Sequence, residues 1–294
     1  MQQQTPPQWH ILSLLRWAES YFASHDVENP RASAEMLLAH ALNLRRIDLY
    51  IRYDQPMIPD ELSRFKTLIR RRADGEPVAY IVGQKEFWSL ELRVTPDVLI
   101  PRPDTEILVE AAVAALPKDA GQTPLRVLEL GTGSGAIISA IASERPEHYF
   151  FASDCSLKAL DIARQNAQSH QLDAAICFFA SDWFSALKPI PHFDLILSNP
   201  PYIPSADIDT LQPEIRKFEP RHALDGGKDG LDAIRDIIGH AKNYLNPGGS
   251  LMLEIGYDQR KQVSEMSVSG GYEQIRFVKD YGGHDRVIRM LAPA

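Results

Sequence analysis

Four consecutive residues with a distinctive chemistry stand late in the chain: Asn199, Pro200, Pro201 and Tyr202. Two prolines fix two φ angles and lack N–H groups, so their carbonyls remain as oriented acceptors. The Asn199 side chain adds another carbonyl, and Tyr202 adds a flat ring for stacking. This set suits a planar NH2 group: two acceptors take its two hydrogens and a ring packs on its face. An amide nitrogen is a poor nucleophile, because its lone pair is delocalised into its own carbonyl. Acceptors pulling on its hydrogens favour a more tetrahedral nitrogen and aim the lone pair at an electrophile. Such orientation lowers a barrier by several kcal/mol, and acceptors matched to developing positive charge lower it further. No strong general base is required, since the proton can leave after the transfer.

A second constellation offers the opposite polarity. An apolar run, Val127–Leu130, leads into Gly131, Thr132, Gly133, Ser134 and Gly135, and a helix is predicted from Ala136 to about Ser143. A glycine turn between strand and helix lets a ligand approach the backbone. The helix N-terminus then presents unpaired N–H groups to a phosphate or carboxylate. The spacing is G-x-G-x-G, one residue shorter before the third glycine than the dinucleotide fingerprint. Asp154 closes the next apolar run about 20 residues on, where an acidic side chain can accept from ribose hydroxyls. Together these motifs imply an adenosine-containing ligand without separating a nicotinamide dinucleotide from S-adenosylmethionine. Asp182 and Trp183 follow the third apolar run and could hold and cover an adenine; the competing reading makes Trp183 and Phe184 core aromatics.

The elements that must position these residues come from hydrophobic periodicity. From about residue 105 the apolar runs are Val127–Leu130, Tyr149–Ala152, Ile176–Phe179, Phe193–Leu197, Leu251–Ile255, Ile275–Val278 and Val287–Leu291, with helical segments between most of them. This alternation predicts an α/β fold, a mainly parallel sheet covered by helices on both faces. The close spacing of the last two strands predicts an antiparallel end. Residues 8 to about 75 read as three short amphipathic helices, one on Ile11–Phe22, one opened by Asn29-Pro30-Arg31 and one from Pro59 toward Arg72. Between them, Tyr80–Val82 and Phe87–Val94 alternate as strands do, so 76–105 reads as a hairpin linker. The division is 1–75, 76–105 and 106–294.

Composition bounds the partners. With 294 residues, 44% hydrophobic and 24% charged, the chain can bury a sizeable core. A net charge of −8 argues against a dedicated nucleic-acid binder. Arg70-Arg71-Arg72 is the candidate basic patch, read in preference as a solvated helix end. Two cysteines, Cys155 and Cys177, are too few for a disulfide scaffold, and no histidine spacing suggests a metal. Cys155 reads as a small packing residue. The polar N-terminus lacks a basic start followed by an apolar run, and no stretch approaches a membrane span, so the expected location is cytoplasmic.

The glycine loop, Asp154 and Asn199-Pro200-Pro201-Tyr202 in that order resemble the class I amino-methyltransferases, Rossmann-like proteins with a seven-stranded sheet. The likeness implies S-adenosylmethionine as cofactor, held by Gly131–Gly135, Asp154, Asp182, Trp183 and Asn199. Asn199–Tyr202 would take the target nitrogen. Three further stretches narrow the resemblance: Phe87-Trp88-Ser89-Leu90, Ile100-Pro101-Arg102-Pro103-Asp104-Thr105-Glu106, and Phe218-Glu219-Pro220 through Leu231. With the helical N-terminal segment they resemble the HemK/PrmC family, the release-factor glutamine methyltransferases. That family acts on the glutamine of the Gly-Gly-Gln loop of peptide chain release factors. The resemblance implies that the N-terminal helices and hairpin help dock the factor. Arg102 and Glu106 would shape the mouth of the site or pair with each other one helical turn apart. The glycine-bearing 218–231 loop could close over substrate. The alternatives are a glutamine methyltransferase for a large-subunit ribosomal protein, a nucleic-acid amino-methyltransferase that flips its base, a nicotinamide oxidoreductase, and a non-catalytic scaffold.

Overall fold

The computed structural model describes residues 9–118 and 123–293. Residues 1–8, with which the 1–75 segment begins, and Ala294 lie outside the described residues. Two compact units emerge. One takes the residues up to Gly83 together with Gln212–Phe218, and the other takes Gln84–Leu211 and the residues from Glu219 onward.

The first unit is helical: α1 (Ile11–Ala23), α2 (Pro30–Leu42), α3 (Arg46–Ile51), α4 (Pro59–Ala73) and α5 (Val78–Val82), joined by the distant α9 (Pro213–Phe218). Ile11, Leu14, Leu15, Ala18 and Phe22 form one buried stripe on α1, the spacing that an amphipathic helix needs. Proline stands at the start of α2 and α4, where its missing N–H is harmless. The bundle exceeds the three helices expected. In particular, Tyr80–Val82 is helical, not a strand. An apolar run this short is ambiguous in period, and Gly83, at φ +80°, caps a helical turn.

The arginine triplet ends α4, where cations complement the helix dipole, but it is not a free basic patch. Arg71 makes a two-pronged contact with Glu76 at 2.6 and 2.7 Å. Arg72 is 5% exposed and pairs with Glu214 on α9. A second contact, Gln212 to Glu28 at 2.8 Å, also ties this distant segment into the unit.

The second unit begins with a hairpin, β1 (Gln84–Phe87) and β2 (Leu90–Arg93), whose two-residue turn puts Trp88 and Ser89 at positive φ. There follow α6 (Glu106–Ala115), β3 (Arg126–Leu130), α7 (Ala136–Glu144), β4 (Tyr149–Asp154), α8 (Leu157–Ser169), β5 (Ile176–Ala180) and β6 (Phe193–Ser198). After the α9 excursion come α10 (Asp232–Ala241), β7 (Leu245–Glu254), α11 (Arg260–Ser269), β8 (Glu273–Lys279) and β9 (Asp285–Leu291). The seven-stranded sheet has the order β5-β4-β3-β6-β7-β9-β8, parallel as far as β7 and antiparallel at β9 and β8. Alternate residues of the central strands feed two cores. Val127, Leu195 and Met252 pack with α6 and α7, whereas Leu128, Ile196 and Leu251 pack with α10 and α11. Helices thus cover both faces, as the alternation predicts.

Register sets the site. Leu130 lies opposite both Ser153 and Ser198, and Ser198 lies opposite Leu253. The loops after β3, β4, β6 and β7 therefore leave the sheet at one level. Strand order reverses between β3 and its neighbours β4 and β6, the switch point at which open α/β sheets bind ligands.

Candidate active site

A cleft opens at that switch point, where open α/β sheets place their ligands. One wall is the glycine loop. Gly131 and Gly133 take φ of +68° and +56°, and Gly133 N donates to Asp154 Oδ2 at 2.9 Å. The Asp154 Oδ1 accepts from Ser156 N at 2.9 Å. Each carboxylate oxygen keeps a further lone pair, so the buried Asp154 can still accept from ligand hydroxyls. Trp183 closes a second side and lies over Gly131. Its neighbour Phe184 is buried and stacks on Tyr244, with ring centroids 4.5 Å apart. The two aromatics thus divide, one at the cleft and one in the core.

The Asn199 turn forms the other side. Ser198 Oγ donates to the Leu130 carbonyl at 2.7 Å, pinning the end of β6 to the end of β3. Asn199 Nδ2 donates to Thr105 Oγ1 at 3.1 Å, which leaves Oδ1 as the free acceptor. Among the described residues, neither that Oδ1 nor the Pro200 carbonyl receives a hydrogen bond from the protein. Tyr202 is anchored at both ends: its hydroxyl donates to Glu254 at 3.2 Å, and its carbonyl accepts from Gln259 at 2.9 Å.

Of the sequence-derived candidates, Gly131, Thr132, Gly133, Ser134, Asp154, Trp183, Asn199 and Pro201 line the cleft, whereas Gly135, Asp182, Pro200 and Tyr202 do not. Gly135 has another task. At φ +78°, a Cβ there would stand 3.0 Å from the Ala163 Cβ, so the glycine lets α7 begin against α8. Pro200 and Tyr202 flank Pro201 in the same turn, next to the lining residues.

Several expectations change. Arg102 and Glu106 do not pair with each other. Arg102 bonds the buried Glu219, which also accepts from Ile100 N at 3.3 Å, so Glu219 fixes the 100–102 segment along the cleft. Glu106 accepts from Trp88 N at 3.0 Å. Cys155 is exposed at the cleft rather than packed; partial desolvation of its thiol, then Asp154 and Asp182, push its pKa up. The 218–231 loop is not a free lid. Ile203 N bonds Leu224 O at 3.0 Å and Gly226 N bonds Ile203 O at 2.8 Å. A Cβ on Gly230 would meet the Tyr202 carbonyl at 2.4 Å, so close backbone approach explains that glycine.

Glu129 was missed. It is 1% exposed, yet reaches the cleft. Its Oε2 accepts from Thr132 Oγ1 at 2.6 Å and from Ile138 N at 3.2 Å. Burial pushes its pKa up to about 8, against the pull of those two donors and with the help of Asp154. An acid in the middle of an otherwise apolar parallel strand was the available signal.

Comparisons with known proteins fit this geometry. Residues 13–83 match the family model "PrmC N-terminal domain", and residues 104–215 match "Methyltransferase small domain". A release factor glutamine methyltransferase of Geobacter sulfurreducens is 44% identical over 96% of this chain and 97% of its own length. The chain belongs to the release factor glutamine methyltransferase family. The member from Escherichia coli K12 is 42% identical over 88% of this chain and 91% of its own. A crystal structure of a methyltransferase from Pyrococcus furiosus, 18% identical, shares the fold with a TM-score of 0.51 over 70% of this chain and 90% of that one. The sheet, with its glycine loop and antiparallel end, is thus a class I methyltransferase fold.

Proposed function

We propose that the cleft holds S-adenosylmethionine and that the Asn199–Tyr202 turn holds the side-chain amide of a glutamine. As a member of its family the chain is a protein-glutamine methyltransferase, with a peptide chain release factor as substrate. The Gly-Gly-Gln glutamine is the residue we assign as its target. The observation that supports the site reading is the pair of uncommitted acceptors, Asn199 Oδ1 and the Pro200 carbonyl, beside the cleft. The cofactor fits the residues present. The start of α7 offers N–H groups to its carboxylate, Asp154 offers acceptors to its ribose, and the raised Glu129 offers an acid that a cationic ligand would ionise.

Bound there, the cofactor supplies an electrophilic methyl group. This chain's residues do the rest: Asn199 and Pro200 accept from the amide hydrogens, Tyr202 packs its ring on the amide face, and Trp183 shields the cofactor side from water. The glutamine nitrogen gains the methyl and then loses a proton to solvent. The helices up to about residue 75 serve in recognition of the factor and the 76–105 segment links them to the 106–294 catalytic part. We assign a cytoplasmic location and no sequence-specific nucleic-acid binding; among the described residues, no helix is long and apolar enough to cross a membrane.

The test is transfer of labelled methyl to a purified release factor, beside a factor carrying alanine for the glutamine, a large-subunit ribosomal protein and DNA. Label on the intact factor alone supports the proposal. Label on the ribosomal protein would keep the chemistry and move the partner, and label on DNA would overturn both.

A further inference from the structure

Behind Tyr202 lies a carboxyl to which none of these roles applies. Glu254 ends β7, and because Leu253 lies opposite Ser198, its side chain stands beside the Asn199 turn. It is 1% exposed. Its Oε1 accepts from the Tyr202 hydroxyl at 3.2 Å, and its Oε2 has no well-formed hydrogen bond among the described residues. The titratable and charged groups facing it are Tyr202, Arg286 and Asp104. Arg286 is itself shared between Asp104 at 3.2 Å and Asp280 at 3.1 Å, so two other carboxylates already compensate its charge. The Thr105 hydroxyl, which holds Asn199, also acts on Glu254. One buried acid therefore bears on both side chains that flank the amide, on Tyr202 directly and on Asn199 through Thr105.

A buried carboxyl with an uncommitted oxygen is expensive and calls for a reason. Methyl transfer provides one. The nitrogen–carbon bond forms as the sulfur–carbon bond breaks, and the electron pair of the broken bond stays on sulfur. Positive charge therefore moves from sulfur to the glutamine nitrogen until that nitrogen releases its proton to water. We propose that the Glu254 carboxylate is a positioning residue for this step: by accepting from the Tyr202 hydroxyl it fixes the ring, enriches its face in electrons and favours positive charge on the nitrogen. The inference rests on the assignment of Asn199–Tyr202 to the substrate amide. Glu254 makes no bond to substrate and takes no proton. The Tyr202 proton stays on its oxygen, since burial and then Glu254 raise its pKa. Ring faces attract cations, and fixed charge in a dry site acts without reorganisation.

Only the ionised acid does this. Burial pushes the Glu254 pKa up to about 7, against Thr105, Arg286 and Tyr202, so the rate should rise with pH through neutrality. The experiment measures kcat and KM across the neutral range for the full chain, Glu254→Gln, Tyr202→Phe and the double variant, with thermal unfolding of each and Asn199→Ala as reference. The wild-type kcat is expected to rise and level off above pH about 7. Glu254→Gln should flatten that rise and lower the plateau about tenfold, with KM unchanged. In a Tyr202→Phe background it should have no further effect, since the pair acts as a unit. A rise retained in Glu254→Gln, or additive losses in the double variant, would overturn the proposal. Were Glu254→Gln not to fold, Tyr202→Phe decides: loss of the pH-dependent rise supports the link and its persistence overturns it. Near-normal turnover by Asn199→Ala would instead remove the underlying site assignment, a result distinct from a wild-type profile in Glu254→Gln alone.

Discussion

Two loops leave neighbouring strands at one level, and they are chemical opposites. The loop after β3 is glycine-rich, takes left-handed backbone angles and leads into the N-terminus of α7 at the cleft, where a helix offers donors. The loop after β6 is proline-stiffened and keeps acceptors uncommitted. Each suits one reactant: donors for an anionic cofactor tail, acceptors for an NH2 group. Separate loops on a shared sheet edge allow the two to be placed within reaction distance while each remains specialised.

The largest effect that would break this contrast is on the acceptor side. Asn199→Ala should unfold at close to the wild-type temperature but lose roughly 100- to 1,000-fold in kcat; steady-state kinetics beside thermal unfolding checks both. On the donor side, Asp154→Ala should weaken cofactor binding by about 10- to 100-fold through lost charge-assisted hydrogen bonds. Calorimetry reads that directly, and an unchanged affinity would remove the role given to Asp154.

Smaller effects sharpen the division within the glycine loop. Gly135→Ala forces a side chain into positive φ and against Ala163, so it should destabilise by about 1–3 kcal/mol in denaturant unfolding while leaving cofactor affinity nearly unchanged. Smallest is Glu129→Gln. The folded protein holds the Glu129 proton up to pH about 8, against an ordinary value of 4.5. Ionisation therefore begins to cost stability above pH about 4.5 and the loss is complete above about 8. Glu129→Gln should raise stability at neutral pH by about 1–2 kcal/mol and abolish the proton release that accompanies cofactor binding, measured by calorimetry in buffers of different ionisation enthalpy.

The residues of the candidate cleft that sequence places are those whose chemistry is local. Gly131–Gly133, Asp154 and Asn199 each sit at a strand end that hydrophobic patterning marks, and parallel register brings such ends together. What sequence could not place depends on distant partners. Thr105 matters because it holds Asn199, and Glu254 because β7 lies beside β6. Local spacing allows Arg102 either to pair with Glu106 or to shape the mouth of the site; it lines the cleft, and the buried Glu219 far along the chain pairs with it. Tyr80–Val82 reads as a strand but lies in a helix, because so short an apolar run does not reveal a period. The fold class was readable from the strand–helix alternation, whereas the recruitment of Gln212–Phe218 into the helical unit left no periodic trace.

The acceptor turn assigns the transferred methyl group to an amide nitrogen. Acid hydrolysis of the methylated release factor tests it most directly, because a methyl on a glutamine side-chain nitrogen leaves as methylamine while the residue becomes glutamate. Recovery of the transferred label as methylamine is the predicted result. Label retained on an amino acid after hydrolysis would place the methyl somewhere other than a side-chain amide and contradict that assignment.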